Sequence, residues 1–245
     1  MKEQWLKPGE RLDDLQCQGF HLIQDPKSFC FGMDAVLISH FAEIRTGDQV
    51  MDLCTGNGVI PILLAGKKRK GQFTAVEIQE EASERAQRNV QMNGLEDRIK
   101  VVKEDVKNIA SLFSPSSFDV VVSNPPYLAA DGLKNPRQDK AIARHEVMMT
   151  LRDLMVQTAY LLKPGGRFYL VHRPDRLVDM MTLSRQNRLE AKWMQMVHPR
   201  QDKKPNLVLV QFVKNARPEL KLKKPLFVYD KEGNYTPELL ECYQS

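Results

Sequence analysis

The segment Val50-Met51-Asp52-Leu53-Cys54-Thr55-Gly56-Asn57-Gly58-Val59-Ile60-Pro61 constrains the fold of this chain more than any other. Its apolar start reads as a strand, its glycines as a turn and the residues that follow as a helix. Pro61 falls near the first helical turn, where proline is tolerated. Gly56 and Gly58 allow the backbone to approach a ligand closely, and the helix N-terminus offers free N–H groups. The pattern departs from the dinucleotide fingerprint G-x-G-x-x-G, because Pro61 stands where the third glycine belongs. Asp52, just before the turn, also opposes a pyrophosphate, since two anions repel. It suits a cationic or zwitterionic ligand.

Two further strand candidates end in carboxylates. Gln72 to Glu77 ends in a residue able to accept from both hydroxyls of a ribose. Ile99 to Glu104 is followed by Asp105, which can accept from the exocyclic amine of an adenine. Each carboxylate by itself also fits a solvated strand end or a helix cap. Together they fall at the carboxyl ends of successive strands, where ligands bind in an open α/β sheet. A fourth apolar run, Phe118 to Ser123, leads into Asn124-Pro125-Pro126-Tyr127. The two prolines stiffen the backbone and remove two donors, leaving carbonyls as acceptors. An Asn oxygen, a donor-poor loop and an aromatic face fit a planar group that carries –NH2.

In this order, the glycine turn with Asp52, then Glu77, Asp105 and Asn124 to Tyr127 resemble the class I methyltransferases that use S-adenosyl-L-methionine. The Asn-Pro-Pro-Tyr sequence narrows the likeness to the amino-methylating branch. The corner Leu161-Leu162-Lys163-Pro164-Gly165-Gly166-Arg167-Phe168 fits the same pattern, so the likeness spans Asp48 to Val171. The flanks extend it. Leu12 to Leu15, Ile23 to Pro26, Phe29 to Leu37, and the later Pro225 to Tyr229, Gly233 to Thr236 and Glu241 to Tyr243 are similar to the tRNA1(Val) adenine-N6 methyltransferases. Family members often carry Thr where this chain has Met33.

The resemblance implies an α/β, Rossmann-like fold: a seven-stranded, mostly parallel sheet in the order 3-2-1-4-5-7-6, strand seven antiparallel, with helices on both faces. It implies S-adenosyl-L-methionine held by Phe31, Gly32, Asp34, Asp52, Thr55, Gly56, Gly58, Glu77, Ile78, Asp105, Val106 and Asn124. It implies catalysis by Asn124, Pro125, Pro126 and Tyr127, without a metal. The reaction it implies is N6-methylation of an adenosine in tRNA next to the anticodon, with valine tRNA favoured. Asp34 also fits an N-cap for an apolar helix from Ala35 to Ile44. Tyr127 is expected to stack on the base. Release-factor glutamine and rRNA guanine carry the same planar amine and stand as alternatives. A catalytically inactive protein that binds the cofactor or RNA is a third.

The residues themselves predict strands at Gln49–Leu53, Phe73–Glu77, Ile99–Lys103, Phe118–Ser123, Arg167–His172, Ala191–Val197 and Leu207–Val213. Helices are expected near Ile60–Ala65, Glu80–Asn93, Leu151–Leu162 and Arg176–Gln186. This alternation predicts right-handed crossovers and a parallel sheet. A chain of 245 residues, 42% hydrophobic, can bury one large core. A single domain is expected, with residues 1–47 covering the cofactor and 48–245 forming the catalytic core. The cysteines Cys17, Cys30, Cys54 and Cys242 show no metal-binding spacing. No run is long and apolar enough to span a bilayer and no signal peptide is visible, so a cytoplasmic protein is expected.

The net charge of +5 is mild, and its clustering says more. Lys134, Arg137, Lys140 and Arg144 follow Tyr127 directly. His198, Arg200, Lys203 and Lys204 precede the last strand. Both clusters are candidates for tRNA phosphates, the first ahead of the second. No DNA, membrane or obligate protein partner is expected. His145 and Glu146 are candidates for lining the base entrance.

Overall fold

The computed structural model describes residues 2–28, 30–67, 71–127 and 149–244. Period-2 burial explains the sheet. In β3 (Gln49–Leu53), Val50 joins the apolar cluster on one face, while Met51 and Leu53 join the cluster on the other. In β6 (Phe118–Ser123), Val120 and Val122 face the first cluster and Val121 the second. Side chains alternate across a strand, so a strand buried on both faces reads as a continuous apolar run. The hydrophobic runs of the sequence are these two-sided strands.

Between them and beyond lie β4 (Gln72–Glu77), β5 (Ile99–Lys103), β7 (Leu162–His172), β8 (Leu189–His198) and β9 (Leu207–Lys214). The sheet runs β5-β4-β3-β6-β7-β9-β8, which is the expected order 3-2-1-4-5-7-6 counted from β3. β9 is antiparallel to both β7 and β8. Two short strands were not foreseen. β10 (Lys221–Leu222) and β11 (Leu226–Phe227) pair in parallel with β8 and extend the sheet beyond seven strands. With two residues each and Pro225 between them, they carry no alternation to read.

Helices cover both faces. α1 (Met33–Phe41) and α2 (Val59–Gly66) contribute to one cluster, α4 (Leu151–Leu161) and α5 (Leu177–Gln186) to the other. The sequence placed the start of α1 at Ala35 with Asp34 as its cap. The structure corrects this: α1 starts at Met33, and Gly32 is the N-cap without a side-chain cap bond. A final helix, α6 (Pro237–Gln244), packs on α1 and β11. This helix was not foreseen; Thr236 Oγ1 accepts from the Leu239 amide at 3.3 Å, and Pro237 occupies the first helical position.

The N-terminal segment forms a separate hairpin of β1 (Arg11–Asp14) and β2 (His21–Gln24). It is pinned to α3 (Glu80–Met92) and the residue after it by side chains spaced four apart. Asn89 Oδ1 accepts from the Ile23 amide at 2.6 Å, and Asn93 Oδ1 accepts from the His21 amide at 3.0 Å. Arg85, 4% exposed, donates to Glu10 at 3.1 Å and to Asn57 of the glycine turn at 3.2 Å. Burial works against the Glu10 carboxylate, but hydrogen bonds from Arg88, the Lys7 amide and Arg85 outweigh it and hold it down to about 2. Removing one member of a buried charge network leaves its partners uncompensated. Arg85→Met is therefore expected to destabilise the protein by about 3 kcal/mol in urea titration. An effect no larger than that of an exposed substitution would show that the network adds nothing.

Candidate functional site

Strand ends assemble the site. Asp52 of β3, Glu77 of β4, Asp105 after β5 and Asn124 after β6 stand at the carboxyl edge of four adjacent parallel strands. β3 and β6 are where the chain order reverses, the usual position of a ligand crevice in such sheets.

The glycine turn is shaped by left-handed residues. Cys54, Gly56 and Gly58 have φ of 65°, 56° and 79°. A side chain on Gly58 would start 3.3 Å from the Ala86 Cβ of α3, so this glycine lets turn and helix pack closely. A side chain on Gly56 would meet no protein atom within 4 Å, so the space over this peptide is open. Glu77 bridges the turn, accepting from the Gly56 amide through Oε2 and from the Gln79 amide through Oε1, each at 2.9 Å.

Asp52 is 1% exposed. Its Oδ2 accepts from the Thr55 hydroxyl at 2.5 Å, while Oδ1 is buried with no hydrogen-bond partner. Burial pushes this carboxyl up to about 7; the Thr55 bond opposes the rise and the Glu77 charge adds to it. Burial likewise raises Glu77, against the pull of its backbone donors. A desolvated pair of carboxylates with an orphan acceptor, beside an open glycine peptide, fits a ligand that brings a positive charge and hydroxyls. Asp105 caps the 3-10 turn Val106–Ser111, accepting from the Lys107 amide at 2.9 Å. The Val106 side chain is buried in the core, whereas Ile78 is exposed beside Glu77.

The Asn124 loop faces the N-terminal segment. The Tyr127 hydroxyl lies between two acceptors, Asn124 Oδ1 at 2.7 Å and Asp34 Oδ2 at 3.1 Å. Burial, then the Asp34 charge, pushes the phenol well above its ordinary range, so it stays protonated and donating. Gly32 gives Asp34 room, since a Cβ there would lie 2.9 Å from Asp34 Oδ1. The Phe31 amide donates to Gln24 Oε1 at 2.8 Å, and Gln24 in turn bonds Asp13 of the hairpin. Pro125 is buried and Pro126 exposed. The ring of Tyr127, expected to stack on the base, lies beside His172 in a tilted contact, with centroids 5.2 Å apart.

His172 was not singled out from sequence, although it ends β7, the strand beside β6. It is buried, and its Nδ1 lies 2.8 Å from the Arg173 amide as an acceptor. Burial, reinforced by Arg176, lowers it to about 4, which makes it a neutral support for Tyr127 at physiological pH. Arg200, Lys203 and Lys204 are exposed on the β8–β9 loop. β8 runs parallel to β7, so this loop opens at the same edge as Asn124. Lys134, Arg137, Lys140 and Arg144, with His145 and Glu146, lie outside the described residues. Asp34 and Tyr127 also line a cavity of about 420 Å³, shared with Asn206 and Tyr229.

Residues 32–186 match the methyltransferase small domain family. Over 203 residues, the chain is 33% identical to the tRNA1(Val) (adenine(37)-N6)-methyltransferase of Bacteroides thetaiotaomicron, covering 82% of this chain and 83% of the relative. It is 27% identical over 230 residues to the enzyme of the same name from Tolumonas auensis, with 90% and 91% covered. A crystal structure of a predicted O-methyltransferase from Agrobacterium tumefaciens superimposes with a TM-score of 0.70, covering 86% of this chain and 97% of that one, at 21% identity. That likeness concerns the fold.

Proposed function

The chain belongs to the tRNA1(Val) (adenine(37)-N6)-methyltransferase family of small-domain methyltransferases, and we propose that its Asn124 loop presents the N6 amine of a tRNA adenosine for methylation. It is an S-adenosyl-L-methionine-dependent N-methyltransferase. The observation that carries the site assignment is the Tyr127 hydroxyl held between Asn124 and Asp34, one strand away from the orphan oxygen of Asp52.

S-adenosyl-L-methionine, when bound, supplies an electrophilic methyl group on a sulfonium. The residues that would hold it are Asp52, Thr55, Gly56, Gly58, Glu77, Ile78, Asp105 and Val106 along the strand ends, with Phe31, Gly32, Asp34 and Asn124 above. Glu77 fits the ribose hydroxyls, because each of its oxygens keeps a lone pair beyond the one given to a backbone amide. Asp52 Oδ1 fits a donor on the cationic portion. Ile78 offers apolar surface to the adenine.

An adenine amine is a poor nucleophile because its lone pair is delocalised into the ring. The carbonyl of Asn124 has two lone pairs, and Tyr127 occupies one. The other accepts one N–H of the acceptor amine, and the Pro125 carbonyl accepts the second. Both hydrogens held in this way favour a pyramidal nitrogen whose lone pair faces the methyl group. Alignment then supplies much of the rate, and the proton leaves once the nitrogen is cationic, so no strong base is required. The target is the adenosine just 3′ of the anticodon, in a loop where a base unstacks at low cost. Arg200, Lys203 and Lys204 take phosphates at the rim, and we assign the same task to Lys134, Arg137, Lys140 and Arg144 on sequence grounds. In this reading residues 1–245 act as one domain, residues 1–47 cover the cofactor, and the enzyme works in the cytoplasm. No helix among the described residues is long and apolar enough to cross a membrane.

The test incubates the protein with labelled cofactor, unmodified tRNA and release factors, then maps the modified nucleoside. Label on N6 of the adenosine beside the valine anticodon is expected; label on glutamine or guanine would overturn the assignment. Replacing Arg200, Lys203 and Lys204 together by Ala should flatten the salt dependence of tRNA binding by roughly one unit of log–log slope for each phosphate no longer neutralised. An unchanged slope would move the RNA surface elsewhere.

A further inference from the structure

A hydrogen bond between distant parts of the chain joins the cofactor side of the site to the acceptor side. The stretch between β2 and α1 leads into Asp34, whose Oδ2 accepts from the Tyr127 hydroxyl at 3.1 Å. Both residues border the same cavity, and Asp34 is buried. Its other oxygen is fixed as well, because Oδ1 accepts from the Ala35 amide at 3.0 Å. The same stretch is tied to the glycine turn. Arg85 Nη1 donates to Asn57 Oδ1 of that turn at 3.2 Å and to Ser28 Oγ at 3.4 Å. Arg85 Nη2 lies 3.6 Å from Asp25 Oδ2. One piece of chain thus touches the glycine turn through Arg85 and the Asn124 loop through Asp34.

We infer that Asp34 is a positioning residue for the acceptor: by holding the Tyr127 hydroxyl it sets the ring that meets the base, and it thereby couples tRNA binding to cofactor binding. The inference rests on the reading above, in which Phe31, Gly32 and Asp34 cover the cofactor and the Asn124 loop takes an adenine. A phenol has one hydrogen to give, and two acceptors from different segments lie within its reach, Asn124 Oδ1 at 2.7 Å and Asp34 Oδ2. An ionised carboxylate forms the stronger hydrogen bond, so Asp34 in place draws that hydrogen toward itself. The ring is then pinned at its far end, and the Asn124 carbonyl is left to the acceptor amine. A cofactor resting on Phe31, Gly32 and Asp34 restrains this stretch before the tRNA arrives. The base then meets a ring already set, and less ordering remains to be done on binding. By linkage, tRNA must tighten the cofactor by the same factor.

Fluorescence anisotropy of a labelled, unmodified tRNA1(Val) transcript, with and without saturating S-adenosyl-L-homocysteine, tests this in the absence of turnover. In the wild-type protein the homocysteine compound is expected to lower Kd for tRNA about tenfold, within the usual range of coupling between two sites. Tyr127→Phe keeps the ring, removes the hydroxyl and should reduce this ratio to less than about twofold. Asp34→Asn keeps the shape and removes the charge, and should reduce the ratio to about threefold. It also serves as the test if Tyr127→Phe fails to fold. Added to Tyr127→Phe, the Asn substitution should leave the ratio where Phe put it, because the bond is already gone. A contact that is merely structural would weaken tRNA binding equally with and without the homocysteine compound and leave the ratio at its wild-type value. A wild-type ratio near one, or an unreduced ratio in Tyr127→Phe or in a folded Asp34→Asn, would overturn the inference. A wild-type protein that binds the homocysteine compound and methylates no tRNA would instead overturn the adenine reading, and this inference with it.

Discussion

Replacing Asn124 by Ala is expected to lower kcat by about 10³-fold while leaving cofactor affinity within about a factor of two. The first figure is the order lost when one preorganised polar group aimed at a reacting centre is removed. Asn124 Oδ1 is the only side-chain carbonyl contributed by the Asn-Pro-Pro-Tyr loop itself, and Tyr127 holds it at 2.7 Å. Without it the amine loses one of its two tethers, and the Tyr127 hydroxyl keeps only Asp34. The cofactor-facing groups Asp52 and Glu77 lie on separate strands and bond to Thr55, Gly56 and Gln79, none of which the substitution touches. Single-turnover rates and calorimetry separate the two effects. A loss of cofactor affinity as large as the loss of rate would make cofactor binding, not amine tethering, the main role of Asn124.

The second large effect is opposite in sign for stability and for binding. Asp52→Asn should make the free protein more stable above neutral pH and weaken the cofactor by about 10²-fold, the size expected when a charge-assisted hydrogen bond is removed from a buried site. The folded carboxyl titrates near 7 against an ordinary value of 3.8, so the folded state holds a proton that the unfolded chain has released across that window. Stability therefore falls as pH rises from about 4 to about 7, and levels off beyond the folded value. Each unit of this difference is worth about 1.4 kcal/mol, so the full penalty is on the order of 4 kcal/mol at about pH 8. An amide carries no such penalty, although its –NH2 faces the same unpartnered site, and a net gain of about 2 kcal/mol is expected. Wild-type cofactor affinity should rise between about pH 6 and pH 8 as Asp52 ionises, and the Asn variant should lose that slope. Parallel melting curves for the two proteins between about pH 5 and pH 8 would refute this linkage.

The core of the sheet was readable because burial on both faces leaves an unbroken apolar run. β3, β5 and β6 begin and end where the residues predict. The carboxylates Asp52, Glu77 and Asp105 were readable for a related reason, since a strand end in a parallel sheet is a position fixed by local sequence. The sense of individual side chains was not. The hydroxyl of Tyr127 is a case in point, because its partner Asp34 lies more than ninety positions earlier in the chain. Gly32, not Asp34, caps α1, because Asp34 is already committed to Tyr127 and its neighbouring amide. Tyr229 entered only within the likeness of Pro225 to Tyr229, which says nothing of the cavity it lines. It reaches the cavity through a two-residue strand whose pairing depends on β8 being in place.

That late pairing has a consequence for how the protein is made. The residues proposed to hold the cofactor emerge in order from Phe31 to Asn124, while Val228 and Tyr229 follow about a hundred residues later, a gap of several seconds at ordinary elongation rates. A nascent chain can thus complete the strand ends around Asp52 and Glu77 well before the cavity beside Asp34 and Tyr127 gains its last wall. The wall formed by Val228 and Tyr229 is the last part of that cavity to be completed.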